Sequence, residues 1–389
     1  MYFCQRAKDL PMNSPFFYTD VVTGPTFIGR DNEVDKICNL IRSRKHILIY
    51  GPARIGKRSL ILNSLNRLQQ ESYRYTLFKI NLFNIRCIEA FMLRYTNTIF
   101  SYFATSPMEW NTLLKKYLPA APYIIDEEAA KPQLTYTSKE PLTDEQIVEI
   151  VNLPDNLAKE SHTNIIVYFE QFQDIHLFDD PHRIYKLLEK MWQKHQRCSY
   201  IITGERKNAM DEIFVHNKYF YKLTEKIELD PIDENIFADF IMKGFSSAGK
   251  LISKEQALTI YRSVGGDPWY SQHLSDICYN MTDGKMSDNV IPQALQYLIN
   301  LHDFLFHSIA YGLSKHQLRF IKALLEGVTK FSSADILDKY HLNSSANVNR
   351  IKEALAKKEI LTTNENKEIV FIDPLFRLWF TKYFFNFIK

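Results

Sequence analysis

The stretch HILIYGPARIGKRSLILNSL, residues 46–65, restricts the fold more than any other part of the chain. The short run HILIY before Gly51 is apolar and β-branched-rich, as in a buried strand. After Lys57, the apolar residues Leu60, Ile61, Leu65 and Leu68 keep helical spacing. Between the two lie Gly51, Pro52, Ala53, Arg54, Ile55, Gly56 and Lys57, a G-x-x-x-x-G-K loop at a strand-to-helix turn. In such a turn the glycines let the backbone curl so that its N–H groups converge. The helix N-terminus adds partial positive charge, and the lysine reaches toward outer phosphates. Glycine is scarce, 12 of 389 residues, which weighs against a chance match with both flanks correct.

Further strands follow the same logic. YTLFKINLF (75–83) reads as one sheet member. NIIVYFEQFQDI (164–175) reads as a strand over Ile165–Phe169, with Glu170 at its C-terminal end. CSYIITGER (198–206) ends at Thr203, Glu205 and Arg206, where a residue can sense a terminal phosphate. Helical patterns lie between them, as in 182–196. Strands alternating with helices around such a loop predict a parallel α/β sheet, whose C-terminal strand ends face bound phosphates.

The bulk numbers agree. At about 100–200 residues per domain, 389 residues make two or three domains. With 46% hydrophobic and 24% charged residues, the chain can bury real cores. A net charge of +3 does not by itself imply nucleic acid. The cysteines 4, 38, 87, 198 and 278 form no C-x-x-C pair, which argues against a zinc site and fits a reducing, cytoplasmic compartment. The N-terminus carries no signal-peptide pattern, and no stretch has the length and apolarity of a membrane span.

Four blocks and a C-terminal segment carry a family resemblance. They are FIGRDNEV (27–34), GPARIGKRSLI (51–61), VYFEQFQDI (167–175), VGGDPWYSQHL (264–274) and FIDPLFRLWF (371–380). Their order resembles that of the archaeal-type ATPases of the STAND branch of the AAA-like P-loop NTPases. The resemblance implies a P-loop α/β module, a helical lid and a C-terminal winged helix. It implies ATP or ADP as ligand, held by residues 51–57 together with Arg58 and Ser59. It also places Gly29, Arg30 and Pro268 near the base.

The chain departs from that family where a metal and an attacking water would sit. Arg58 stands where the family has a Mg²⁺-binding hydroxyl, and Ser59 is one residue too late, about 100° round the helix. Glu170 takes the place of the metal-associated aspartate and is the candidate metal ligand. Gln171 takes the place of the glutamate that activates water, and Asn81 stands where the family often has Asp. Glutamine can orient water but cannot accept its proton. Two unit charges about 4 Å apart interact by about 4 kcal/mol at an effective dielectric near 20, so Arg58 facing a divalent ion costs roughly 8 kcal/mol. Arg58 can instead swing to solvent or bind phosphate directly. Glu170 and Gln171 thus form a degenerate catalytic box, and whether Mg²⁺ is used stays open.

The expected organisation is a lead-in at 1–25 and the P-loop domain at 26–228, with a proline-rich insertion at 105–160 read as a long loop with short helices. A helical lid at 229–302 and a winged-helix domain at 303–389 with an aromatic C-terminal segment follow. The acidic run 126–128 reads as solvated surface. A hairpin turn is expected near Asn364–Asn366. The third winged-helix helix carries Arg350, Lys352, Lys357 and Lys358, as a DNA-reading helix does, although a charged outer face is also normal for any helix. The C-terminal aromatics (Phe376, Trp379, Phe380, Tyr383, Phe384, Phe385, Phe387) read first as core, then as a surface for a protein partner or a second copy. The sequence therefore points to an ATP- or ADP-binding switch protein with slow or absent hydrolysis. Two alternatives stay open: an active ATPase of the same family, and a DNA-binding protein resembling origin-recognition initiators.

Overall fold

The computed structural model describes residues 14–126, 129–364 and 366–385; Glu127, Glu128 and Phe387, named above, lie outside them, as does Glu365 in the expected hairpin turn. The chain divides into two compact units. One comprises residues 32–53 and 60–229. Its elements are α1 (Asp31–Arg42, from residue 32), β1 (His46–Tyr50), α2 (Lys57–Gln70, from residue 60), β2 (Tyr75–Asn81), α3 (Ile88–Phe103), α4 (Pro107–Tyr117), β3 (Tyr123–Asp126), β4 (Gln133–Tyr136), α5 (Asp144–Ser161), β5 (Asn164–Glu170), α6 (Pro181–Trp192), β6 (Cys198–Thr203), α7 (Lys207–Asp211) and β7 (Thr224–Glu228). Among the described residues, five parallel strands form one sheet in the order β2-β5-β6-β1-β7.

Near-continuous apolar runs in β1, β5 and β6 are what a sheet covered on both faces requires. All of β1 and β6 is buried, and so is β5 after Asn164. Side chains alternate between faces. Leu48, Phe78, Ile80, Val167, Phe169 and Ile202 share one core with residues of α3, α5 and α6. Tyr168 and Glu170 point to the opposite face, where Lys79 pairs in register with Tyr168 and Asn81 with Glu170.

The segment 105–160 corrects the expectation of a long loop. It forms α4, the β3–β4 hairpin and the 18-residue α5. Trp110, Leu134, Leu142, Ile147 and Val151 belong to the same core as the sheet. The prolines misled because three of the six start an element or directly precede one. Pro107 is the first residue of α4, while Pro122 and Pro132 each precede a strand. Such positions need no backbone N–H. Pro154 does sit inside α5, buried. Two capping boxes, Ser106 with Glu109 and Thr143 with Gln146, mark the true helix starts.

The second unit comprises residues 14–31, 54–59 and 230–385. It contains α8 (Glu234–Ser247), α9 (Lys254–Ser263), α10 (Pro268–Asn280), α11 (Val290–Tyr311), α12 (Lys315–Leu325), α13 (Ala334–Lys339), α14 (Ser345–Lys357), the antiparallel pair β8 (Leu361–Thr363) and β9 (Ile369–Phe371), and α15 (Pro374–Trp379). The boundary expected after residue 302 falls inside α11, an unbroken 22-residue helix. Phe237, Tyr270 and Leu274 share one core with Phe306, Phe320 and Trp379. Lid and winged helix are therefore packed as one body, and Phe16 of the lead-in is buried in it. No helix among the described residues is long and apolar enough to cross a membrane.

Replacing Trp110 by alanine tests whether residues 105–160 are core. The expected loss of stability is about 3–5 kcal/mol. Chemical denaturation measures it, and a loss below about 1 kcal/mol would return the segment to the status of a loose insertion.

Candidate nucleotide site

β1 delivers the chain into the glycine-rich loop. Gly51 has φ +148°, Arg54 +64° and Gly56 +98°, so the backbone curls through conformations that glycine tolerates best. Lys57 opens α2 and is buried, as are Ile55 and Ser59, while Arg58 is exposed.

In the unit that holds residues 54–59, a narrow cleft of about 40 Å³ brings together Arg30, Ile55, Gly56, Ser59 and Pro268 with apolar walls from Phe27, Ile232 and Phe237. Two of the residues expected near a base, Arg30 and Pro268, do meet the glycine loop there. Gly29 does not line the cleft. Its φ is +66°, and a Cβ there would lie 2.6 Å from Cγ2 of Ile232, so only glycine allows this approach. Arg30 is buried and donates to the Asp230 carbonyl at 2.5 Å. The lead-in is tied to the same region: Val22 N–H donates to Ser59 Oγ at 3.2 Å, and Phe17 N–H to Gln272 Oε1 at 3.0 Å. Sequence reading missed Gln272; its place one turn after Pro268 on α10 was the available signal.

Arg54 carries an unexpected set of contacts. Its guanidinium lies 4.9 Å from the Trp269 ring and 5.0 Å from the Tyr270 ring, and 3.4 Å from Asp373 Oδ2. The Tyr270 hydroxyl donates to the same oxygen at 2.8 Å. The other oxygen, Asp373 Oδ1, caps α15 by accepting from Leu375 and Phe376 N–H. Nearby, burial pushes the Asp267 carboxyl up to about 6, while the Tyr270 N–H and the Arg54 charge draw it back down. The loop residue Arg54 is thereby joined to the lid through Trp269 and Tyr270, and to the winged helix through Asp373.

The acidic box lies in the other unit. β6 sits between β1 and β5, so Glu170 and Thr203 end neighbouring strands on the edge from which the loop leaves β1. Glu170 is buried; its Oε2 lies 3.2 Å from Lys79 Nζ, and its Oε1 accepts from Tyr168 OH at 3.0 Å. Lys79 is a second residue of the region that sequence reading missed. Its only sequence signal was a lysine two residues before Asn81, a position that acquires meaning once the β2–β5 register is known. Gln171 has φ +59°, and its Oε1 accepts from Gln173 Nε2 at 2.6 Å. Asp174 is buried and takes the Asn84 N–H at 3.2 Å. Asn81 Oδ1 accepts from Phe83 N–H at 2.8 Å, closing a local turn. Among the described residues, no three His, Cys, Asp or Glu side chains gather as a metal site. A lone carboxylate already facing an ammonium and a hydroxyl is a poor match for a divalent cation.

A parallel α/β sheet with a glycine-rich loop after β1, followed by helices and a short hairpin, defines a P-loop ATPase fold with a winged-helix end. The chain belongs to the family described as ATPase domains predominantly from Archaea, whose profile matches residues 27–274; residues 304–382 match a probable winged helix domain. Solved structures share the fold. A Walker-type ATPase of Pyrococcus abyssi is 14% identical, with a TM-score of 0.61 over 91% of this chain and 95% of that chain. The ORC2 protein of Aeropyrum pernix, solved as ADPNP–ADP complexes, is 12% identical, with a TM-score of 0.57 over 92% of this chain and 93% of that chain. No curated protein sequence matches the chain.

A double-mutant cycle tests the Arg54 link. Asp373→Asn and Arg54→Ala should couple by about 0.5–1 kcal/mol, a modest value because the pair is partly exposed. Asp373→Ala, which also removes the cap of α15, should cost about 1–2 kcal/mol. Urea denaturation gives both quantities, and additive single effects would break the proposed link.

Proposed function

We propose that this protein is an ATP- or ADP-binding switch of the STAND type, acting in the cytoplasm, in which nucleotide biases the domain arrangement and hydrolysis is slow or absent. Lys57 and the backbone N–H groups of the 51–59 loop hold the phosphates in this reading, and the cleft at Arg30 and Pro268 takes the base. The observation that carries the hydrolysis-poor assignment is the state of Glu170, whose two oxygens face Lys79 Nζ and Tyr168 OH. An ammonium beside the carboxylate supplies the positive charge that a metal would otherwise bring. Gln171 offers no proton acceptor in place of a base. Arg54 supports the switch: a loop that shifts with its ligand moves the guanidinium, and with it the contact to the cap of α15.

The winged helix serves intramolecular contacts in this account. Two of the four cations named for DNA contact are engaged within their own unit, Lys352 lying 5.5 Å from the Phe331 ring and Lys358 Nζ donating to the Gly312 carbonyl at 3.3 Å. Fluorescence anisotropy with a duplex is expected to show only weak, salt-labile binding. Tight binding lost on Lys357→Ala and Lys358→Ala would favour the initiator-like alternative.

Lys57→Ala should weaken ADP and ATP binding at least tenfold by calorimetry; this is the direct test of the site, and unchanged affinity would remove Lys57 from it. The wild type should bind ATP with little dependence on Mg²⁺ and release phosphate slowly. Arg58→Thr, Glu170→Asp and Gln171→Glu together, with Lys79→Ser to free the carboxylate, should raise Mg²⁺-dependent phosphate release, since a restored base is worth about 10² to 10⁴ in rate. Brisk Mg²⁺-dependent release by the wild type would sink the hydrolysis-poor reading and leave an active ATPase in its place.

A further inference from the structure

The outward face of α11 is largely apolar, with the polar side chains of Gln293, Asn300, His307 and Ser308 exposed among the large apolar ones and no Asp, Glu, Lys or Arg exposed on it. Its inner side buries Ala294, Leu298, Phe306 and Ala310. Its outer side exposes Phe304 at 87% and Tyr311 at 93%, with Tyr297, Leu301 and Leu305 about half exposed. Residues 297, 301, 304, 308 and 311 advance by alternating steps of four and three. That is the spacing of a helix seam meant for another helix. Charged residues make up 24% of the chain, so a helix of 22 residues would ordinarily carry about five. α11 carries one, Asp303, and its carboxylate accepts from Trp379 Nε1 at 2.7 Å and lies 3.6 Å from His307 Nε2. Beside the stripe runs a groove of about 590 Å³, formed by Phe304, Ser308 and Tyr311 with Leu313, Leu318 and Phe384.

We propose that this face is the contact of a symmetric homodimer in which α11 of one copy crosses α11 of the other. Three observations favour a second copy as the occupant. The seam has the period of a helix partner. The projecting residues Phe304 and Tyr311 also form walls of the groove, so one surface supplies both knob and hole, as a two-fold contact demands. The seam is neutral, so it meets its own image without like-charge repulsion, whereas a charged partner would leave a buried charge unpaired. The area is adequate. At about 200 Å² per large side chain, the five exposed residues offer roughly 600–700 Å² per copy. Two copies then bury about 1,200–1,400 Å², inside the range of specific interfaces.

Sedimentation equilibrium of the full chain without nucleotide, across about 1–100 µM, a range that brackets micromolar affinities, tests this. The expected mass is twice 45.8 kDa. Phe304→Glu with Tyr311→Glu should raise the dissociation constant at least a hundredfold, because two like charges per copy then face each other. Both positions are exposed, so the far-ultraviolet circular dichroism spectrum should stay unchanged, while the melting temperature of the wild type should fall toward that of the variant on dilution; Phe304→Ser with Tyr311→Ser, which removes the knobs without adding charge, should also weaken the dimer. A wild type that remains monomeric throughout overturns the proposal and leaves the face to a foreign helix or another part of this chain. A dimer that survives in both double variants overturns it too. Nucleotide binding is measured separately on the same samples, so failure here is distinct from failure of the switch reading.

Discussion

Burial of a parallel sheet on both faces is the constraint from which the α/β unit follows. Strands β1, β5 and β6 leave almost no side chain in water. Polar chemistry is pushed to the C-terminal edge, where the backbone leaves the ladder. Any ionised group there has to be satisfied locally, because an unpaired buried charge is prohibitive. Glu170 meets that demand with Lys79 on the neighbouring strand and Tyr168 on its own. The neighbourhood of this carboxylate, rather than its presence, sets what the acidic box can do.

In the helical unit the corresponding point is one carboxylate, Asp373. It caps α15 with one oxygen and faces Arg54 and Tyr270 with the other. A group that is both a helix cap and an ion-pair partner couples two local structures without a large interface. Each contact is modest in energy, of order 1 kcal/mol. Contacts of that size can be released by a ligand, whereas the shared apolar core around Phe306 and Trp379 cannot. The helical unit thus combines a fixed apolar core with one ionic link that is cheap to break.

Much of this was legible in the chain. The loop spacing, the strands at 46–50, 164–170 and 198–203, the order of lid helices and the hairpin all follow from period and turn chemistry. Arg30 and Pro268 were expected near one site and do share a cleft. Reading by composition failed where prolines were counted instead of placed. Pro107 starts a helix and Pro154 lies within one, so 105–160 is core. Residue 302, the expected end of the lid, lies within α11, where nothing in the sequence breaks the helix.

Local covalent chemistry determined which segments become strands, helices and turns, since periodicity, capping and glycine φ preferences act over a few residues. It also determined that Lys57 follows a phosphate-type glycine loop. Tertiary structure alone decided which distant residues meet. Lys79 reaches Glu170 only because β2 and β5 pair in a particular register. Arg54 reaches Asp373, 319 positions away in the chain, only because the loop and the winged helix belong to one packed body. Contacts of that separation depend on the global fold, and no local pattern in the sequence encodes them.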